Sequence, residues 1–394
     1  MSEPGVHPDG PVQEIGAVSA SSARTPLFSP SLHALRGLAA VAVCLFHWEQ
    51  FFPDGAIWTQ QFFPRDTLLD PTVYIGFGWM GVPLFFILSG WLLGGQVIRA
   101  DITGAYLRRF WTRRFLRIYP AVWAELLILL LIAGSIPGLI NQASYDTLHL
   151  QFLLWLNLPP FMAAPLNGVW WTLPVELGFY LLLPLLGWCV GFINWRVMLS
   201  CSLLITLSWR LWIFSTAQVE NYVAILPVLD SLLGTLFTFM LGFSMNFLPN
   251  ALTVAQRRRG IICGLVLLLG LMQWQLWMDA VYWSGHWILV VWPPLVAVAI
   301  AIMVYHLKTP LPEMTWLSSS PLVWLGHVSF GIYLWHFQVM RAMLLLLPDA
   351  WGTPLLSLFA LIVAAVFTLV LAALSFYLIE RPLMGWGKRK LSAR

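Results

Sequence analysis

The sequence predicts an all-α, polytopic integral membrane protein of about ten transmembrane helices, with both termini cytoplasmic. Three observations lead there. Only 10% of the 394 residues are charged and 59% are hydrophobic, against roughly 25% charged in a typical soluble protein, so the chain could not cover a water-facing surface. Apolar stretches of about 20 residues, the length that crosses hydrocarbon, recur along it. Its basic residues also fall almost wholly to one side of those stretches.

Taken in order, residues 1–27, "MSEPGVHPDGPVQEIGAVSASSARTPL", are rich in Pro, Ser, Gly and Ala and lack the apolar core of a signal peptide. They read as a disordered cytoplasmic tail. Candidate spans follow at 31–52, 74–98, 118–140, 170–193, 197–216, 222–247, 260–278, 286–306, 322–347 and 354–379. The stretch "LHLQFLLWLNL" (148–158) is too short to span and reads as interfacial or re-entrant. Residues 28–388 form one transmembrane domain, with 389–394 as a basic cytoplasmic tail.

With the N-terminus inside, 17 basic residues fall in inner loops and tails and only Arg65 in an outer loop. Both tails fall on the side that holds the basic residues, which supports an even number of spans. The net charge of +4 needs no nucleic-acid partner, because lipid headgroups account for inner basic residues. Cys44, Cys189, Cys201 and Cys263 lie in apolar runs without CxxC spacing and read as small hydrophobes. Histidines and carboxylates show no metal-ligand spacing, so no metal is expected.

Polar residues inside the spans carry the functional signal, since each ionisable group there costs about 3 kcal/mol or more. In "LRGLAAVAVCLFHW", Arg36 and His47 are eleven residues apart, roughly a whole number of turns and a rise of about 16 Å, so they share a face. Read singly, Arg36 could snorkel to the inner interface and His47 could be a quiet core histidine. In "NGVWWTLPVELGFYLLLP", Glu176 lies at about the depth of His47 with Tyr180 at i+4. A buried carboxylate could be structural, or could orient the imidazole in a shared outer pocket. In "LGHVSFGIYLWHF", Ser329, Tyr333 and His336 form a polar stripe, with His327 roughly opposite.

Ser89 and Gly90 in "WMGVPLFFILSGWLLGG" permit close helix packing or passage of a thin substrate chain. In "LRRFWTRRFLRIYP", Arg109, Arg113 and Arg117 recur along one helical face with Arg114 beside them. They read either as an interfacial anchor or as a seat for a polyphosphate ligand. Arg210, Asp230 and Arg341 are also intramembrane by position, and one ion pair among them is expected.

At these residues the chain resembles the acyltransferase 3 family of membrane-bound O-acyltransferases that act on bacterial surface glycans and some secreted metabolites. The segments above, with "FYLIERPLMGWGKR" near the C-terminus, occur in the family's order and cover about 28–388. Arg-x10-His alone is a weak signal; six segments in order are a strong one. The resemblance implies transfer of an acyl group, often acetyl, from cytoplasmic acyl-CoA to a hydroxyl. It also implies that Arg36 and His47 are essential and that Glu176 and His336 are site residues. One departure is "TLPVE" in place of the family's usual "SLSVE", where Pro174 is expected to kink the helix.

The resulting expectation places His47, Glu176 and His336 at the catalytic centre, supported by Tyr333, Tyr180 and Ser329. Arg36, Arg109, Arg113, Arg114, Arg117 and Ser89 hold acyl-CoA, the donor substrate; no permanently bound cofactor is expected. The acceptor is an extracytoplasmic carbohydrate or glycolipid, with a small metabolite such as a macrolide as the alternative. A proton-coupled transporter is the rival from another class, but repeated halves and paired broken helices are not visible in the sequence. The expected location is the plasma (inner) membrane, in contact with its lipids; oligomeric state is not legible.

Overall fold

The computed structural model describes residues 29–51, 62–64, 67–157, 163–216, 225–278 and 286–392. The predicted tail 1–27, with Arg24, and also Arg65 and Arg394 lie outside the described residues. Among those described, every regular element is helical.

The long helices are α1 (Pro30–Phe51), α2 (Gly81–Val97), α3 (Gly104–Ile132), α4 (Thr172–Cys189), α5 (Trp195–Thr216) and α6 (Leu232–Ser244). They continue with α7 (Val254–Trp277), α8 (Ile288–Leu307), α9 (Ser320–Leu346), α10 (Pro354–Leu374) and α11 (Arg381–Ser392). Eight helical segments among the described residues are long and apolar enough to cross a bilayer, which makes the chain a multi-pass integral membrane protein. Two predicted spans take other forms. That at 222–247 appears as the shorter apolar segment Leu232–Phe247, and that at 322–347 as the 27-residue α9 with its row of polar groups.

Several predicted boundaries move, each for a local reason. The third span was expected from 118, but α3 begins at Gly104, where Thr103 caps it by accepting from the Tyr106 amide at 3.2 Å. After Gly104 at the helix start, neither glycine nor proline comes before or within the arginine run, so the arginines ride the first half of a continuous 29-residue helix. Pro174 sits in the first turn of α4, where its missing N–H breaks no intrahelical bond; the proline in the helix interior is Pro184. The 148–158 stretch folds as the short helix Leu148–Leu153, ended by Leu154 at φ 53°. Gln151 then ties the chain back, donating to Ala164 O at 2.9 Å and accepting from the Leu166 amide at 3.0 Å. Residues 389–392 of the expected tail belong to α11.

Close packing of α1 against α9 organises the centre. A Cβ on Gly37 would lie 2.7 Å from Leu325 Cβ, and one on Gly326 would run into the His33 carbonyl, so each glycine admits the other backbone. In the other half, buried Arg210, 1% exposed, pairs with Asp230 at 2.6 Å and donates twice to Leu289 O. This is the intramembrane pair that the sequence left open. Arg341 instead donates to Gly138 O at 2.8 Å.

Candidate active site

Five helices enclose a cavity of about 820 Å³. α3 supplies Arg109, Arg113, Arg114 and Arg117, α1 supplies Arg36, and Arg99 follows α2. The four-residue spacing predicted to align the α3 arginines does so. Arg99 and Arg113 are exposed, so this end is a mouth. Arg114 lies over the Tyr180 ring at 5.8 Å, and its Nε is buried without a hydrogen-bond partner among the described residues. Clustered guanidinium groups with an unfilled donor fit a phosphate-bearing ligand.

Deeper, the wall turns apolar at Val82, Phe85, Phe86 and Leu173, and the cavity ends at buried Thr172 and Tyr333. Their hydroxyls lie 2.8 Å apart, and Tyr333 also donates to Val169 O at 2.9 Å. Glu176 stands between mouth and end. Its Oε1 accepts from Ser89 Oγ at 3.1 Å and from the Tyr180 hydroxyl. The predicted i,i+4 pairing with Tyr180 therefore forms, whereas the expected pairing of Glu176 with His47 does not: among the described residues no hydrogen bond joins them. Equal depth along two helices does not make two side chains point at each other; Glu176 turns toward the arginine cavity. Ser329 lines the same cavity while bonding Gly326 O at 2.9 Å.

Beyond Tyr333 lies a histidine pair. The Tyr333 and His336 rings are 6.0 Å apart, and His336 is 5.3 Å from His47, whose ring meets Phe337 edge-on at 5.1 Å. His336 is fully buried. Its Nδ1 bonds Ile332 O at 2.9 Å; a carbonyl can only accept, so Nδ1 carries the proton and the neutral ring leaves Nε2 as a lone pair. That Nε2 is buried with no partner among the described residues. His47 repeats the arrangement, with Nδ1 3.1 Å from Gln50 Oε1. Neither histidine lines the cavity itself; Tyr333 is the link. His327 pairs instead with His33 at 4.8 Å, away from this centre.

Against known proteins, an acyltransferase domain model, that of acyltransferase 3, matches residues 29–375. The chain belongs to the acyltransferase 3 family. It is 31% identical over 340 residues to acyltransferase MdmB of Streptomyces mycarofaciens, covering 79% of each chain. It is 25% identical over 387 residues to the peptidoglycan O-acetyltransferase OatA of Listeria monocytogenes, covering 90% of this chain and 56% of that one. The chain therefore spans little more than half the length of the Listeria relative. No solved structure matches it at a significant level.

In this acyltransferase, sequence reasoning passed over two groups of residues. Arg99, Gln96, Tyr106 and His33 also line the cavity. Glu125 is the more consequential omission. Fully buried in α3, it accepts from Asn167 Nδ2 at 2.6 Å on one oxygen and from Trp170 Nε1 at 2.9 Å on the other. Asn167 also donates to Leu334 O at 2.8 Å. Glu125 thereby ties α3 to the 3₁₀ turn Gly168–Trp171 and to α9 beside His336. The turn in turn presents Val169 O to Tyr333 and sets Gly168 against the Phe337 ring. A lone carboxylate in "AVWAELLILL" was the signal that could have found it.

Proposed function

We propose that this membrane O-acyltransferase moves an acyl group, acetyl by default, from cytoplasmic acyl-CoA to a hydroxyl of an extracytoplasmic glycan or glycolipid. His47 is the general base. The observation that carries the reading is one cavity that starts among arginines and ends, through Tyr333, beside the His336–His47 pair. The 17-to-1 basic asymmetry of the sequence supports a cytoplasmic arginine mouth and cytoplasmic termini in the plasma membrane. The peptidoglycan O-acetyltransferase among the relatives supports a carbohydrate acceptor outside.

Arg36 and the α3 arginines hold the donor's phosphates, and the thioester arm extends along the apolar wall to Thr172 and Tyr333. His47 Nε2 takes the proton as the acceptor oxygen attacks the thioester carbonyl. The resulting imidazolium lies beside His336, 5.3 Å away between ring centres, whose unpartnered Nε2 is the acceptor available to stabilise it in the role first expected of Glu176. Tyr333 and Thr172 lie where the oxyanion forms, and the Tyr333 hydroxyl donates to it by turning from Val169 O, its acceptor in the structure. As the C–S bond breaks, His47 returns its proton to the thiolate, giving acylated acceptor and free CoA. General base catalysis of this kind contributes typically about 10²–10⁴-fold.

Purified protein in liposomes with labelled acetyl-CoA tests the reading. Label transfer or thioester hydrolysis is expected, and is lost in His47→Ala. Uptake of a solute into vesicles without any need for acyl-CoA would instead favour a transporter.

A further inference from the structure

A carboxylate is out of place in a cavity built for a polyanion. The charged groups lining it are His33, Arg36, five further arginines and Glu176, the single acidic residue among the described ones. Glu176 offsets part of the charge of Arg36 and Arg114, but it cannot meet phosphate, which it repels. Its two oxygens also differ. Oε1 is filled by Ser89 and Tyr180. Oε2 receives no hydrogen bond from the described residues, yet is not sealed from the cavity that Glu176 lines. A charged acceptor open to a largely apolar passage calls for an N–H or O–H on the ligand.

Position narrows the choice. Thr172 lies four residues before Glu176 on α4, about 6 Å deeper, where its hydroxyl meets that of Tyr333. In an acyl-CoA the amide nitrogen nearest the sulfur is separated from the thioester carbonyl carbon by the sulfur and two methylenes, about 5 Å in the extended arm by standard bond lengths. A thioester carbonyl at Thr172 and Tyr333 therefore sets that amide beside Glu176, while Val82, Phe85 and Leu173 flank the methylenes.

We propose that Glu176 is a donor-specificity residue: its Oε2 accepts the amide N–H next to the thioester of a pantetheine-type donor and sets how deep the acyl group reaches. The inference rests on the acyl-CoA reading above. Ser89 and Tyr180 hold the carboxylate in place from its other oxygen. The arginines recognise the phosphates, and Glu176 recognises the arm.

The test compares acetyl-CoA with an analogue whose amide next to the thioester is an ester, oxygen replacing N–H. Free thiol released by the liposome-embedded enzyme is the readout. Wild type is expected to prefer the amide by roughly 10- to 100-fold in kcat/KM, the span of a hydrogen bond to a charged group. In Glu176→Ala the preference should shrink to about threefold or less, because only the amide donor loses a partner. Adenosine 3′,5′-diphosphate, which engages the arginine mouth, should bind at least as tightly as to wild type, since a repelling carboxylate is gone, and reports an intact fold. If Glu176→Ala does not fold, Glu176→Gln decides, with a preference clearly below that of wild type. Equal use of both donors by wild type, or a wild-type preference in either variant, overturns the proposal while leaving the acyl-CoA reading intact. Failure of wild type to turn over acetyl-CoA or to bind the diphosphate overturns both.

Discussion

Replacing Glu125 by glutamine tests whether one buried carboxylate holds the floor of the active site. Both oxygens act as acceptors, from Asn167 Nδ2 at 2.6 Å and Trp170 Nε1 at 2.9 Å, and the residue is 0% exposed. An amide keeps one acceptor and turns a donor toward a donor. A hydrogen bond to a charged group is worth about 1.5–3 kcal/mol, and a buried donor left unsatisfied costs about 1–3 kcal/mol. These overlap, since the orphaned donor is the partner of the lost bond, so Glu125→Gln should destabilise by about 3 kcal/mol.

Unfolding in mixed micelles, followed by fluorescence of the chain's 23 tryptophans, measures that cost. Trp170→Phe removes the opposing N–H, so Glu125→Gln should cost less in that background, with a coupling of about 1–2 kcal/mol for residues in direct contact. Because the carboxylate anchors the turn that positions Tyr333 and Phe337, thiol release should fall while adenosine 3′,5′-diphosphate still binds. A Glu125→Gln protein within about 0.5 kcal/mol of wild type, the ordinary range of a surface change, would refute the reasoning. The carboxyl would then be donating a proton of its own.

His336→Ala should lower label transfer at saturating acetyl-CoA, but less than the roughly 10²–10⁴-fold expected for loss of the base in His47→Ala, with donor KM nearly unchanged. Arg109→Ala combined with Arg113→Ala should raise the acetyl-CoA concentration for half-maximal rate without abolishing turnover at saturation. The difference from wild type should narrow as salt is added, because the charge of exposed Arg113 is screened. Arg210→Met should destabilise by about 3 kcal/mol in the micelle assay by stranding Asp230, the low end for a broken buried pair because Asp230 is 26% exposed. Adding Asp230→Leu should restore much of that, since an apolar pair no longer leaves a charge unmatched.

Much of the site was legible along single helices. Arg109, Arg113 and Arg117 do line one cavity, Glu176 does bond Tyr180, and Tyr333 does lead to His336. Such relations depend only on the helical repeat. Relations between helices were legible only as depth, and depth was insufficient. It placed Glu176 level with His47 but could not say which way either side chain turned, so the histidine's neighbour proved to be His336, at 5.3 Å.

The sequence by itself determined the solvent, the helical class and the family, because hydrocarbon length, the cost of charge and motif order are written along the chain. Tertiary structure alone decided that Arg210 meets Asp230 and that Glu125 meets Asn167 and Trp170. It alone put a carboxylate among arginines and two imidazoles side by side. Partners brought together from distant segments are selected by how the helices rotate and pack, driven by glycine contacts such as Gly37 with Leu325, and no local pattern encodes that rotation.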